Sequence, residues 1–158
     1  MRHAIHHTMG IVFAAGLVAG TIDIGAASLI NWLSPVVIVQ AIASGLLGKG
    51  AFSGGAATAT VGLLLQWGIS ILIAAIYLIV TAPWPGMRRR WQLTGLLAGV
   101  VIFVIMNYFV VPLSAAPFRP HFGLHQLLTA FTPYRFIANL LAMLLFGLIV
   151  AFSARNVR

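Results

Sequence analysis

Long apolar runs, separated by short polar or proline-containing stretches, dominate this sequence. Four of the runs reach the length of a membrane-spanning helix, which needs about 20 mostly apolar residues. They cover residues 9–32, 56–82, 92–111 and 133–152. The pattern predicts an all-α, polytopic membrane protein whose four transmembrane helices form a single integral membrane domain over residues 1–158.

A further apolar stretch, Val36–Leu47, is too short to cross a bilayer. A helix of that length covers about 18 Å at a rise of 1.5 Å per residue, whereas the hydrocarbon core is about 30 Å thick. We expect a short interfacial or re-entrant helix here, with Ser34 as its cap and Pro35 at its first position, followed by a glycine-rich return. A second short interfacial helix is expected at Leu124–Phe131.

The first apolar run follows a basic start, which is an arrangement that also fits a signal peptide cleaved near Gly25-Ala26-Ala27. The run continues past Ala27 through Leu29, Ile30 and Trp32. Because a signal core is shorter than this, we expect a retained transmembrane helix.

Basic residues lie at the ends of the apolar runs, where they set the orientation of a membrane protein. With the N-terminus inside, the inner side holds Arg2, Arg88, Arg89, Arg90, Arg155 and Arg158, and the outer side holds Lys49, Arg119 and Arg135. Lysine and arginine are in excess on the cytoplasmic side of such proteins. The distribution predicts a bacterial inner (cytoplasmic) membrane protein with both termini in the cytoplasm and with Arg88–Arg90 as an anchor.

The composition supports the bilayer as the principal partner. The chain is 61% hydrophobic and 6% charged, with a mean hydropathy of +1.07, whereas soluble domains carry about 25% charged residues. The net charge of +8 forms no basic face, so we expect no nucleic-acid partner. The chain has no cysteine, which excludes disulfides, thiolate zinc sites, iron–sulfur clusters and covalently bound haem.

Each predicted span carries at least one strongly polar residue, and in each span one of them lies at a similar depth. Asp23 is the single acidic residue of the chain. Counted from the span midpoints, all four lie about 4 to 8 Å toward the outer side. This predicts a buried polar layer of Asp23, Gln66, Asn107 and Asn139. Three interpretations stay open: hydrogen bonds that hold the helices together, a proton- or ion-handling site in which Asp23 titrates, or a coincidence that arises from errors of about two to four residues in the span boundaries. Lys49 and Arg135 are candidate partners of Asp23.

Small residues surround Asp23 on its helix. Gly16-x-x-x-Gly20 has the spacing that lets two membrane helices approach closely. We therefore expect Gly16 and Gly20 to form a helix-packing contact.

The chain offers little to bind a metal or to catalyse a reaction. His121-x-x-x-His125 has the spacing of two metal ligands on a helix, but no third ligand is near and the chain has no glutamate. We interpret both as interfacial histidines and expect no metal and no cofactor. Haem binding through them stays a weaker alternative, because a buried site needs histidines within facing spans. No paired carboxylate or activated nucleophile is evident, so we expect no enzyme.

Several motifs resemble a known group of proteins. They are Gln40–Gly48, Ala51–Gly55, Leu63–Leu65, Val111–Ser114 and Gly20–Asp23. Together they resemble uncharacterised bacterial four-helix inner-membrane proteins that are similar to YagU-like proteins, over residues 16–117. The resemblance implies a fold and a location but no activity. The position of Gln66 is often histidine in that group, so this chain departs from it at a residue that a proton relay would use.

The leading functional hypothesis is a non-enzymatic membrane protein that acts by association, as an accessory subunit of a membrane complex or as a small homo-oligomer. The main alternative is a small transporter or proton- or ion-conducting protein centred on Asp23. The third is a haem-binding membrane subunit.

Overall fold

The computed structural model describes residues 2–111, 133–155 and 157. Every regular element in these ranges is helical, so the all-α prediction is confirmed for the described part of the chain. In chain order the elements are α1 (Arg2–Asn31), α2 (Pro35–Leu47), a 3-10 helix (Gly48–Phe52), α3 (Gly55–Thr81), α4 (Pro85–Arg89), α5 (Trp91–Ile105), a π-helical turn (Met106–Val110) and α6 (Pro133–Ala154).

Within the described ranges, five helical segments have the length and apolar composition of membrane spans. They are His6–Asn31, Pro35–Phe52, Gly55–Thr81, Trp91–Val110 and Tyr134–Ala154. Four of them lie where the sequence predicts spans, and the other consists of α2 and the 3-10 helix. The chain is therefore a helical, multi-pass membrane protein. The number of segments that cross the bilayer stays a prediction.

Local signals in the sequence explain the ends of α2. Ser34 adopts an extended conformation and its hydroxyl accepts a hydrogen bond from the backbone N–H of Val37 at 3.4 Å, while Pro35 occupies the first turn. At the other end Gly48 has a φ of 63°, and its N–H donates to the carbonyl of Ser44. Positive φ values favour glycine, so Gly48 ends the α-helix where the sequence predicts a return.

Helices α1 and α3 pack in antiparallel directions at the centre of the bundle. Gly16 lies against Ile71, and Asp23 further along α1 contacts Gln66 earlier in α3. Helix α6 packs against the other side of α1 and against α5, while α2 packs mainly on α3. The end of α1 and the start of α3 thus share one end of the bundle, which we call the Ser34 end.

The contacts of α2 lie close to the Ser34 end. The side chain of Gln40 donates to the carbonyl of Gly55 at 3.1 Å, and the backbone of Val39 lies against Gly62. A small core of Ile24, Ile38 and Val39 joins α2 to the last turns of α1. All these contacts fall in the first three turns of α3 or the last turns of α1.

Polar side chains lie inside the bundle and large apolar side chains lie outside. Gln66 and Ser70 are 3% and 1% exposed, whereas Leu29 and Ile79 are 73% and 72% exposed. Such a surface fits a hydrocarbon solvent, where apolar residues gain little from burial against one another and polar groups need partners within the protein.

Candidate functional site

The hydrogen bond between Asp23 and Gln66 is the centre of the candidate site. The Gln66 side-chain amide donates to Asp23 Oδ2 at 2.8 Å, with Gln66 buried and Asp23 half-buried. The antiparallel register of α1 and α3 places the two side chains opposite each other. The pair therefore fixes the side chain of the only acidic residue in the chain between two helices.

Asn107 and Asn139 form a second pair, between α5 and α6. The Asn139 amide donates to Asn107 Oδ1 at 2.7 Å, and the Asn107 amide donates to the carbonyl of Phe103 at 2.8 Å. Asn107 lies in the π-helical turn, where the wider spacing of backbone hydrogen bonds interrupts the α-helix. The pair therefore joins the two helices at the point where α5 changes its geometry.

The four residues predicted to form a polar layer thus meet as two pairs. In the described ranges, no hydrogen bond links the pair on α1 and α3 to the pair on α5 and α6. Residue counts along the spans indicate that the four lie at similar depths. Depth carries no information on which helices are neighbours, and the choice of neighbours decides which side chains meet.

Neither predicted cationic partner forms an ion pair with Asp23 among the described residues. Lys49 lies in the 3-10 helix and Arg135 in the first turn of α6, and both side chains are exposed. The Gln66 amide is the described hydrogen-bond partner of Asp23. The carboxyl group is therefore held by a neutral donor.

A polar face along α3 extends this site and was not predicted from the sequence. Gln66, Ser70, Tyr77 and Thr81 are all buried. The Tyr77 hydroxyl lies 2.8 Å from the Thr94 hydroxyl on α5, and Thr81 donates to the carbonyl of Tyr77 at 2.8 Å. Steps of four and seven residues place these side chains on one helix face, so their spacing was a usable signal.

Ser70 is the exception on this face. Its hydroxyl is fully buried and has no hydrogen-bond partner in the described part of the chain. A Cβ added at Gly20 would lie 2.5 Å from this hydroxyl. The close approach of α1 at Gly20 thus covers Ser70, one helical turn from Gln66.

Glycines mediate the closest helix contacts. A Cβ at Gly16 would lie 2.5 Å from the Ile71 Cα, so the structure places the predicted Gly16–Gly20 motif in the contact between α1 and α3. A second glycine contact joins α5 and α6 and was not predicted, although Gly95-x-x-x-Gly99 has the same spacing. A Cβ at Gly99 would lie 2.6 Å from the Leu144 Cα, and Gly147 faces the backbone of Gly95 and Gly99.

Arginines gather at the end of the bundle opposite the Ser34 end, which we call the arginine end. Arg88 donates to the carbonyls of Val157 and Ala82. The Arg155 guanidinium lies 3.8 Å from the ring centroid of Phe152 and 5.8 Å from that of Trp91. Arg88 therefore fastens the segment after α6 to the end of α3.

Several predicted residues lie outside the described residues. They include the candidate metal ligands His121 and His125 and the proposed short helix Leu124–Phe131, together with Arg119 and Arg158. Among the residues that are described, no group of three or more histidine, cysteine or acidic side chains could hold a metal ion.

The fold and the site define a multi-pass helical membrane protein with paired polar residues between its helices. No family model matches the chain, and comparisons with curated proteins and with solved structures found no match. The functional interpretation therefore rests on the residues of this chain.

Proposed function

We propose that this protein is a non-enzymatic membrane protein that acts by association, as an accessory subunit or a small homo-oligomer. The observation that carries the proposal is an outward-facing stripe of small residues on α1, formed by Gly10, Ala14 and Gly25, which are all exposed. Thr21 lies on the same face, but its hydroxyl accepts a hydrogen bond from the Trp67 indole N–H of α3 at 3.1 Å. Nothing lies within 4 Å of a Cβ added at Gly10 or at Gly25.

The stripe has the spacing of a helix-packing face. Steps of four and eleven residues keep its members within about 60° of one another at 100° per residue. A glycine within a helix costs about 1 kcal/mol relative to alanine, and facing lipid it gains no contact in return. Three close helix contacts inside the bundle, between α1 and α3, α2 and α3, and α5 and α6, also use glycines. We therefore expect the stripe to receive a helix from a second copy or a partner subunit.

Native mass measurement after gentle detergent extraction tests this proposal. Wild-type protein should appear as an oligomer or with a co-purifying polypeptide, and Gly25→Leu should shift it to the monomer because leucine blocks close approach. Gly86→Leu is the matched control, since nothing lies within 4 Å of Gly86 either and it lies in α4, away from the stripe. A wild-type monomer without a partner would contradict the proposal.

A second candidate function is the movement of protons or ions past Asp23. It is favoured by a membrane-embedded carboxyl group that is held by an amide, with no ion pair to Lys49 or Arg135. Acidic residues within membrane helices are commonly functional.

The variant Asp23→Asn tests this candidate, because it keeps the shape of the side chain and an oxygen that accepts from Gln66. In proteoliposomes it should abolish flux driven by a pH gradient, while Asn139→Ala should leave much of that flux. Wild-type vesicles that show no flux for any tested solute would exclude this candidate.

The proposed topology has four spans, with both termini in the cytoplasm of a bacterium and α2 re-entrant or interfacial. Its support is that the contacts of α2 lie at the Ser34 end and that Arg88–Arg90 and Arg155 share the opposite end. The positive-inside rule assigns the arginine end to the cytoplasm. Membership of the YagU-like group is part of the same proposal.

A further inference from the structure

The fold brings together two basic segments that are far apart in the sequence. Arg89 and Arg90 directly precede α5, and Arg155 directly follows α6. Trp91, the first residue of α5, contacts Phe152 in the last turn of α6 edge-to-face, with ring centroids 5.2 Å apart. The Arg155 guanidinium lies over both rings, so it is held beside the start of α5.

These arginines differ from Arg88 in their contacts. Arg88 is half-buried and donates to backbone carbonyls, whereas Arg89, Arg90 and Arg155 are exposed and form no ion pair with any described residue. The single acidic residue of the chain, Asp23, is bound to Gln66. This pair is far from the arginine end, because Gln66 lies about 22 Å along the helix axis from Thr81 at the end of α3. Among the described residues, the charges at the arginine end therefore have no acidic side chain near them.

We propose that Arg89, Arg90 and Arg155 bind the phosphate of an anionic phospholipid headgroup. Guanidinium groups donate paired hydrogen bonds to phosphate oxygens, and basic sites between membrane helices suit such headgroups. The surface beside the arginines is apolar, with Phe152 and Leu93 both exposed. A phospholipid satisfies both features, since its acyl chains cover this surface while its phosphate meets the arginines. A soluble anion would satisfy only the charges.

The proposal is independent of whether the chain associates or transports ions, and it is tested by native mass spectrometry of bound lipid. Purified protein is equilibrated with equimolar phosphatidylglycerol and phosphatidylcholine in detergent. Wild-type protein should retain phosphatidylglycerol in preference to phosphatidylcholine. Arg89→Gln with Arg90→Gln should lower this preference by about 25-fold, because each arginine near an anionic lipid surface strengthens binding about fivefold. Arg155→Lys should lower it by about threefold, since lysine keeps the charge but loses the planar contact with the rings.

The matched control removes the same number of charges at the Ser34 end. Lys49→Gln with Arg135→Gln should change the preference by less than about twofold, because both side chains are exposed and lie far from Trp91. Circular dichroism of each variant in phosphatidylcholine alone verifies that the helices remain folded.

Three results would overturn the proposal. The first is a wild-type protein without preference for phosphatidylglycerol. The second is an equal loss in the two double variants, which would reflect the overall charge of the chain instead of a site. The third is displacement of the lipid by millimolar inorganic phosphate, which would indicate a site for soluble anions.

Discussion

Gly99 shows how a single missing side chain sets the distance between two helices. A Cβ there would lie 2.6 Å from the Leu144 Cα and 2.6 Å from the Met143 carbonyl oxygen, which are backbone atoms that cannot rotate away. Gly147 forms the other half of this contact on α6. Residues of this kind matter in lipid because close van der Waals contact takes over the role that hydrophobic burial has in water.

Gly99→Leu should therefore destabilise the bundle. Inserting a side chain into a tight contact costs about 1–3 kcal/mol, since α5 and α6 must separate. Thermal unfolding in detergent measures the change as a lower Tm. Gly68→Leu is the control, because nothing lies within 4 Å of Gly68, and its Tm should stay near the wild-type value. Equal losses in both variants would contradict the assigned contact.

The two polar pairs make a second prediction at the residue scale. A double-mutant cycle with Asp23→Ala and Gln66→Ala should give a coupling of about 0.6 kcal/mol, and at most about 1.7, as for other hydrogen bonds between membrane helices. The cycle for Asn107→Ala and Asn139→Ala should give a similar value. Reversible unfolding in mixed micelles supplies the free energies.

The coupling energy between residues of different pairs distinguishes two separate pairs from one continuous polar layer. Asp23→Ala combined with Asn139→Ala should be additive within about 0.3–0.5 kcal/mol, because no described hydrogen bond links the pairs. A cross-pair coupling as large as the coupling within a pair would instead support a single layer.

At the scale of the helices, much of the fold could be predicted. Apolar runs near 20 residues and the prolines at their ends predicted the positions of α1, α3, α5 and α6. The prediction works because backbone N–H and C=O groups find no water in the bilayer core and must be bonded within a helix. The predicted first span begins at Met9, whereas α1 begins at Arg2, because a helix can continue beyond its apolar part. The pairing of helices could not be predicted, since depth alone does not identify neighbours. The polar face of α3 and the Gly95–Gly99 contact both have periodic signals in the sequence and could have been predicted from them.

The placement of α2 relative to the membrane is the prediction at the scale of the helices. If α2 is re-entrant or interfacial, Trp32 before it and Ser53 after it lie on the same side of the membrane. The chain has no cysteine, so Trp32→Cys and Ser53→Cys each introduce a single thiol. Both thiols should react with a membrane-impermeant maleimide added to one face of sealed vesicles.

Gly86→Cys is the topological control for α2. Gly86 lies in α4 at the arginine end and should react only from the opposite face. Labelling of Trp32→Cys and Ser53→Cys from opposite faces would show that Pro35–Phe52 crosses the bilayer, and the chain would then have one more span than we propose.

At the scale of the whole molecule, the distribution of polar and apolar residues is the main physical feature. The interior holds the polar pairs, the polar face of α3 and the glycine contacts, whereas the exterior of the described helices carries large aliphatic and aromatic side chains. Such a surface in water would drive association without specificity. In a bilayer it is solvated by acyl chains, and the charged residues at the helix ends reach the headgroups.

The accessibility of a spin label at Leu72 tests most directly whether lipid surrounds this exterior. Leu72 lies in the middle of α3 and is 58% exposed. A label on Leu72→Cys in reconstituted vesicles should collide more often with oxygen, which dissolves in the hydrocarbon core, than with a water-soluble nickel complex. A label on Ser53→Cys, at the end of the bundle, should show the reverse order. If the Leu72 label instead collided mainly with the nickel complex, water would surround α3 and the protein would not be the membrane bundle that its sequence and fold indicate.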